Sequence, residues 1–282
     1  MLPVFLVLTP TTGRGALLAY ESFNYAPGTD VLTLQNTSTG FTDVWRDFVS
    51  PGLARVDVAG GSLSSPGLVT ANNKAVFDQR RATLEFDTSL GSALDTAGYL
   101  DGFSNIGANG TTFYLSMLMQ HSTGTDGFAG MLLMRDSSTN NAADQIGVDI
   151  SNVNHSGSND WFLSNYQGGV LAAGSDSLLT GPNSATNLFV LEFIFGAANA
   201  DTVNAYVNGT LQGTVTGTDF SFDRISFANF LDLQGANQLS VDEIRAGGSI
   251  LDVTPTPEPS RILLLGVSMA TVMLRRRRMI AA

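Results

Sequence analysis

The stretch Thr202-Val203-Asn204-Ala205-Tyr206-Val207-Asn208-Gly209-Thr210-Leu211-Gln212-Gly213-Thr214-Val215 decides the fold class. Its first half alternates small apolar and polar residues, the period of a strand with one buried and one wet face. Asn208-Gly209 then falls between Val207 and Leu211. Both turn residues tolerate the positive φ that a type I′ turn needs, so the spacing predicts a tight hairpin over Thr202–Asn208 and Leu211–Val215.

The same punctuation extends outward in both directions. Short apolar runs bounded by Gly, Asn, Asp and Ser predict further strands at Leu17–Phe23, Leu53–Val58, Ala82–Phe86, Thr111–Met119, Phe128–Met134 and Gln145–Ile150. Others are expected at Asp160–Asn165, Leu188–Phe195, Phe222–Phe227 and Gln238–Arg245. No run suggests a long amphipathic helix, and no fixed-period repeat suggests a propeller. The chain has 282 residues, 43% hydrophobic and only 14% charged, with 30 glycines and the single lysine Lys74. These features predict an all-β fold, a two-sheet sandwich of jelly-roll type over residues 20–252.

Charge is distributed unevenly. All 25 acids lie between Glu21 and Glu258, and eight basic residues against those 25 acids give that span a formal charge of -17. Such a body repels nucleic acid and anionic lipid, so no nucleic-acid partner is expected. The absence of cysteine excludes disulfides, thiolate catalysis and cysteine-ligated metal.

The C-terminal segment, residues 253–282, reads differently. Val253-Thr-Pro-Thr-Pro-Glu-Pro259 is a proline-rich linker, extended because proline fixes φ and disfavours helix before it. Ile262 to Leu274 follows, thirteen residues without a charge that include Leu263, Leu264 and Leu265. Arg275, Arg276, Arg277 and Arg278 come next. Cationic side chains at an apolar end stay on the cytoplasmic side, so this block is a stop. Thirteen helical residues reach about 20 Å, short of a hydrocarbon core of about 30 Å. Snorkelling by Arg261 and Arg275 closes part of that gap, and a short span suits a transient signal better than a permanent anchor. At the other end, Leu2–Leu8 is apolar, Ala16 and Ala19 are small, and no basic residue precedes the apolar run. Residues 1–19 therefore read as an atypical or truncated signal peptide.

Pro257-Glu258-Pro259, an apolar stretch and an arginine cluster, in that order, resemble the PEP-CTERM sorting domain over about Thr254 to Ala282. The resemblance implies export in a Gram-negative bacterium, often beside exopolysaccharide production. It implies a membrane sorting protease of exosortase type as partner, with Pro257, Glu258 and Pro259 as its recognition element. Ile262 to Leu274 would then be a helix transiently inserted in the inner membrane, and the product would lie at the cell surface or outside the cell. A second resemblance covers the body. Ala19-Tyr-Glu-Ser-Phe-Asn-Tyr25, Val203-Asn-Ala-Tyr-Val-Asn-Gly209 and Ser240-Val-Asp-Glu-Ile-Arg-Ala-Gly247 are similar to strands of concanavalin A-like, LamG-type sandwiches. That fold hosts lectins, adhesion modules and glucanases, so it does not choose among them.

Candidate chemistry is sparse. Glu85-Phe86-Asp87-Thr88-Ser89 matches two of the three acids of the Glu-x-Asp-x-Glu strand of β-glucanases, but Ser89 stands where the acid/base should be. Serine cannot protonate a leaving group, so no catalytic residues are assigned. Adjacent Asp242 and Glu243 are expected on opposite faces of their strand, with Glu243 paired to Arg245. His121 and His155 are isolated and lack ligand spacing. No metal or other cofactor is assigned. Asp136, Asn140, Asn141 and Asp144 form an oxygen-rich loop that would suit calcium, although turn chemistry explains the same residues. Trp161 and Tyr166, then Trp45, are the best aromatic candidates for contact with an extracellular polysaccharide. The expectation is a non-enzymatic surface or matrix protein. A carbohydrate-binding lectin-like module is the first alternative, and a glycoside hydrolase with a degenerate acid motif is the second.

Overall fold

A computed structural model describes residues 17–34, 38–42, 44–47, 56–68, 70, 73–78, 80–122, 128–136, 144–151, 155, 160–172, 176–180, 184–198, 200–229 and 238–254. The apolar leader core, Asn140, Asn141 and the tail from Pro255, with the Pro257–Pro259 motif, the Ile262–Leu274 stretch and Arg275–Arg278, lie outside the described residues. Among the described residues no helix is long and apolar enough to cross a membrane.

The described chain forms β1 (Ala19–Glu21), β2 (Arg46–Asp47), β3 (Val56–Gly60), β4 (Asn73–Phe77), β5 (Arg81–Glu85), β6 (Thr112–His121), β7 (Phe128–Met134) and β8 (Asp144–Ser151). It continues through β9 (Trp161–Gln167), β10 (Val170–Leu171), β11 (Ser177–Leu179), β12 (Asn187–Ile194), β13 (Asp201–Val207), β14 (Thr210–Thr218), β15 (Arg224–Asn229) and β16 (Leu239–Gly247). Two one-turn helices, α1 (Ala93–Thr96) and α2 (Ile250–Val253), complete it with a short 3-10 turn at Val31–Thr33.

Two antiparallel sheets result, so the all-β expectation holds. The first runs β14-β13-β12-β6-β16-β4-β3, with β1 also on β16; the second runs β10-β9-β8-β7-β15-β5-β2, with β11 also on β9. The hairpin forms where Asn208-Gly209 predicts it, with φ of 51° and 84° at those two residues. Along β13 the burial alternates strictly: Val203, Ala205 and Val207 are buried, while Thr202, Asn204 and Tyr206 are half-buried.

The inner faces of the two sheets share one core, and two aromatic clusters organise it. Trp45 packs against Phe23, Phe77 and Phe227. Phe113 and Phe222 pack with Phe86 and Phe193. Each such buried ring contributes about 1.5–3 kcal/mol of transfer free energy. On the outer face of the first sheet, Leu118, Leu188 and Val190 form a smaller cluster with Leu63, Leu68 and Val253. The segment carrying Leu63 and Leu68, together with α2, therefore covers part of that face.

Two local expectations change. The strand β4 is absent from the sequence reading, because Asn72-Asn73-Lys74 reads as a turn and only three apolar residues follow. Asp242 and Glu243 do not alternate as residues of a regular strand. The β16–β6 register shifts between Asp242 and Arg245, Glu243 takes a φ of 53°, and both carboxylates are fully buried. A bulge inserts residues out of the ladder and frees both side chains from the two-face rule. The expected Glu243–Arg245 contact is present at 2.7 Å.

Candidate functional site

The outer face of the first sheet carries a groove of about 600 Å³ between the α2 cover and the hairpin tip. Leu188 and Val190 of β12 and Tyr206 of β13 line it, with Ser65 and Pro66 on one side and Ile250 and Thr254 on the α2 side. Thr186, Asn208 and Gly209 also line it. Period two explains the wall: Val190 and Tyr206 are directly paired across β12 and β13, so both project to the same face. No charged side chain lines the groove among the described residues.

The groove is held by neighbours. Glu192 accepts from Tyr114 Oη at 2.7 Å, Asn204 Nδ2 at 2.9 Å and Tyr206 Oη at 3.0 Å. Burial pushes the Glu192 carboxyl up, but those three donors outweigh it and hold it below its usual range. Burial and the same carboxylate push the Tyr114 and Tyr206 hydroxyls up. Glu192 is therefore an ionised anchor that fixes the Tyr206 ring. Asn208 is fixed as well: Leu188 N donates to its Oδ1 at 3.0 Å, and its Nδ2 donates to Asn187 Oδ1 at 3.0 Å.

The aromatic residues picked out in the sequence do not reach this groove. Trp161 is fully buried against Phe189, Trp45 is buried in the core, and Tyr166 is buried with its hydroxyl donating to Asp149 at 2.9 Å. They offer no exposed platform, and the reading of Trp161, Tyr166 and Trp45 as glycan contacts is corrected. The cause is strand phase: Trp161 and Leu163 occupy the inward positions of β9, a phase that isolated Asn and Asp neighbours do not reveal.

Glu85, Asp87 and Asp144 are committed internally. Glu85 faces Arg46 at 3.3 Å and Arg224 at 3.5 Å. Asp87 accepts from the backbone and hydroxyl of Ser89, closing its own turn. Of the suggested calcium loop, Asp144 lies in β8 and pairs with Arg81 in a buried contact, so it is not a loop ligand; Asp136 is exposed beside Arg135. Among the described residues no group of three or more acidic or histidine side chains is arranged to hold a metal ion.

The histidines differ from each other. His121 is fully buried, neither ring nitrogen has a partner among the described residues, and burial lowers its pKa to about 4. His155 belongs to a buried network with Asp149, Asp176 and Ser164, stacked on Phe162 at 3.8 Å. Burial pulls its pKa down, but the hydrogen bonds and charges of Asp149 and Asp176 prevail and raise it. Sequence spacing carried no sign of this network, because its members come from β8, β9 and two connections.

No family model matches the chain, and no curated protein matches it. Solved structures with a similar fold include the carbohydrate recognition domain of Emp47p, at 8% identity and TM-score 0.46, covering 82% of this chain and 97% of that one. The globular domain of T. cruzi calreticulin is similar at 10% identity and TM-score 0.47, covering 74% and 85%. An endo-beta-1,4-glucuronan lyase from the fungus Trichoderma reesei is similar at 13% identity and TM-score 0.44, covering 75% and 97%. The likeness is one of chain trace; ligands and chemistry do not transfer across it.

Proposed function

We propose that the chain is an exported, non-enzymatic cell-surface or extracellular-matrix protein, sorted through its C-terminal tail and associated with extracellular polysaccharide. One observation carries this reading: Pro257-Glu258-Pro259, the uncharged run Ile262–Leu274 and Arg275–Arg278 follow in order behind β16 and α2. An apolar run ending in four guanidinium groups favours the bilayer with its arginines on the cytoplasmic side. The partner is a membrane protease of exosortase type that cuts near Pro257–Pro259. A non-enzymatic body is supported by the ion pairs and hydrogen bonds that engage Glu85, Asp87, Asp144, Glu192 and Glu243.

Intact mass of the exported protein, with cell fractionation, tests the reading. The mature form is expected to lack Arg275–Arg278, and replacing all four with glutamine is expected to disturb sorting. Exported chain that still ends at Ala282 refutes the sorting role.

A further inference from the structure

We infer that the groove floored by Leu188, Val190 and Tyr206 binds a neutral polysaccharide strand, with the Tyr206 ring as its stacking platform. The inference rests on the polysaccharide association proposed above, and its test does not depend on how the tail is processed.

Three observations converge on this occupant. First, the floor is apolar and partly aromatic, which matches the C–H face of a pyranose ring. Tyr206 is tied by its hydroxyl to Glu192, so little side-chain entropy is lost when a sugar stacks on it. Second, the rim holds polar groups with spare capacity. The hydroxyls of Ser65 and Thr186 make no hydrogen bond among the described residues, and Asn208 uses one of its two amide hydrogens. A sugar stacked on an apolar floor presents hydroxyls at its edge, where these groups stand. Third, the charge pattern selects a neutral chain. Among the described residues no charged side chain lines the groove, the adjacent Glu192 is ionised, and the whole protein carries a net charge of -11. A uronate or sulfated polymer meets repulsion and finds no cation among the described lining residues.

The test is co-sedimentation of the full-length chain, held in zwitterionic lipid nanodiscs, with insoluble polysaccharides. Neutral probes are microcrystalline cellulose, curdlan and starch granules; anionic probes are calcium alginate and polygalacturonate gels. Binding to at least one neutral probe and to neither anionic probe is expected. Tyr206→Ala should lower the affinity by tenfold or more, while Tyr206→Phe keeps most of it because the ring remains. Ser65→Trp, on the half-exposed covering segment, should block the groove and lose binding with an unchanged melting temperature, which covers the case of a misfolded Tyr206→Ala. Absence of binding to all three neutral probes overturns the inference. So does binding to anionic probes alone, or full binding by both Tyr206→Ala and Ser65→Trp. Self-association lost in Ser65→Trp without neutral-probe binding would assign the groove to a second copy and also overturn it. None of these outcomes depends on where the exported chain is cut, so the sorting proposal stands or falls separately.

Discussion

His155 Nε2 lies 2.9 Å from Asp149 Oδ1, and both side chains are fully closed off from solvent. The other ring nitrogen is 3.1 Å from Asp176 Oδ2, so one imidazole faces two carboxylates. Only the doubly protonated ring donates to both at once. Tyr166 Oη donates to the second oxygen of Asp149, and Ser164 Oγ lies 3.3 Å from Nε2.

The pH dependence of stability follows from this arrangement. The folded pKa of His155 lies above the ordinary value of 6.5, so the folded state holds the proton to higher pH than the unfolded chain. Its contribution is complete below about 6.5 and fades as pH rises through the folded value. Melting temperatures measured from pH 6 upward should fall more steeply for the wild type than for His155→Gln. Equal slopes would mean the ring is neutral in the fold.

His121 acts with the opposite sign. Its folded pKa is lowered to about 4, so the unfolded chain binds the proton first as pH falls. Stability should decline between about pH 6.5 and 4, and His121→Leu should remove that part of the decline. Melting curves across that window decide the point, and an unchanged acid slope in the variant counts against it.

Trp161→Ala should read out as lost stability. The ring is fully buried and meets Phe189 edge-on at 5.0 Å. Truncation removes transfer free energy and leaves a cavity, together about 3–5 kcal/mol. Urea unfolding measures this. A variant as stable as wild type would place the indole outside the core.

Arg81 and Asp144 form a buried ion pair, and Arg81 Nε also donates to Ser226 Oγ at 2.6 Å. Asp144→Asn leaves the guanidinium without its counter-charge and is expected to cost about 3–5 kcal/mol. The double change Arg81→Met with Asp144→Leu should cost much less, because neither charge remains buried. Chemical denaturation of the single and double variants gives the coupling; equal losses would deny it.

Gly40 has a φ of 73°, and a Cβ there would run into the backbone of Leu18 and Ala19. Gly40→Ala should therefore cost more than about 1 kcal/mol, from positive φ and close approach together. Thermal unfolding checks it, and a neutral effect would mean that β1 does not pass over this turn.

These predictions separate what local sequence carries from what it does not. The β13–β14 hairpin was legible because Asn208-Gly209 and the alternation around it are short-range signals. The Glu243–Arg245 contact was legible for the same reason. Strand β4 was not, since its apolar content is three residues long and its burial depends on β3 and β16. The bulge at Asp242 likewise depends on a register set across the sheet. The groove escaped notice because a sequence shows aromatics but not which strand face they occupy. Trp161 stands among polar neighbours in sequence yet faces inward, while Tyr206 sits in an ordinary hairpin pattern yet lines the apolar groove.

The placement of β16 has a consequence for synthesis. This strand, the last among the described residues, bonds to β6 along one side and to β4 and β1 along the other. Until it leaves the ribosome, β14-β13-β12-β6 and β4-β3 are two fragments with no ladder hydrogen bonds between them among the described residues. A chain in that condition cannot complete its first sheet, so closure of that sheet waits for Leu239–Gly247 and the non-local pairings it makes.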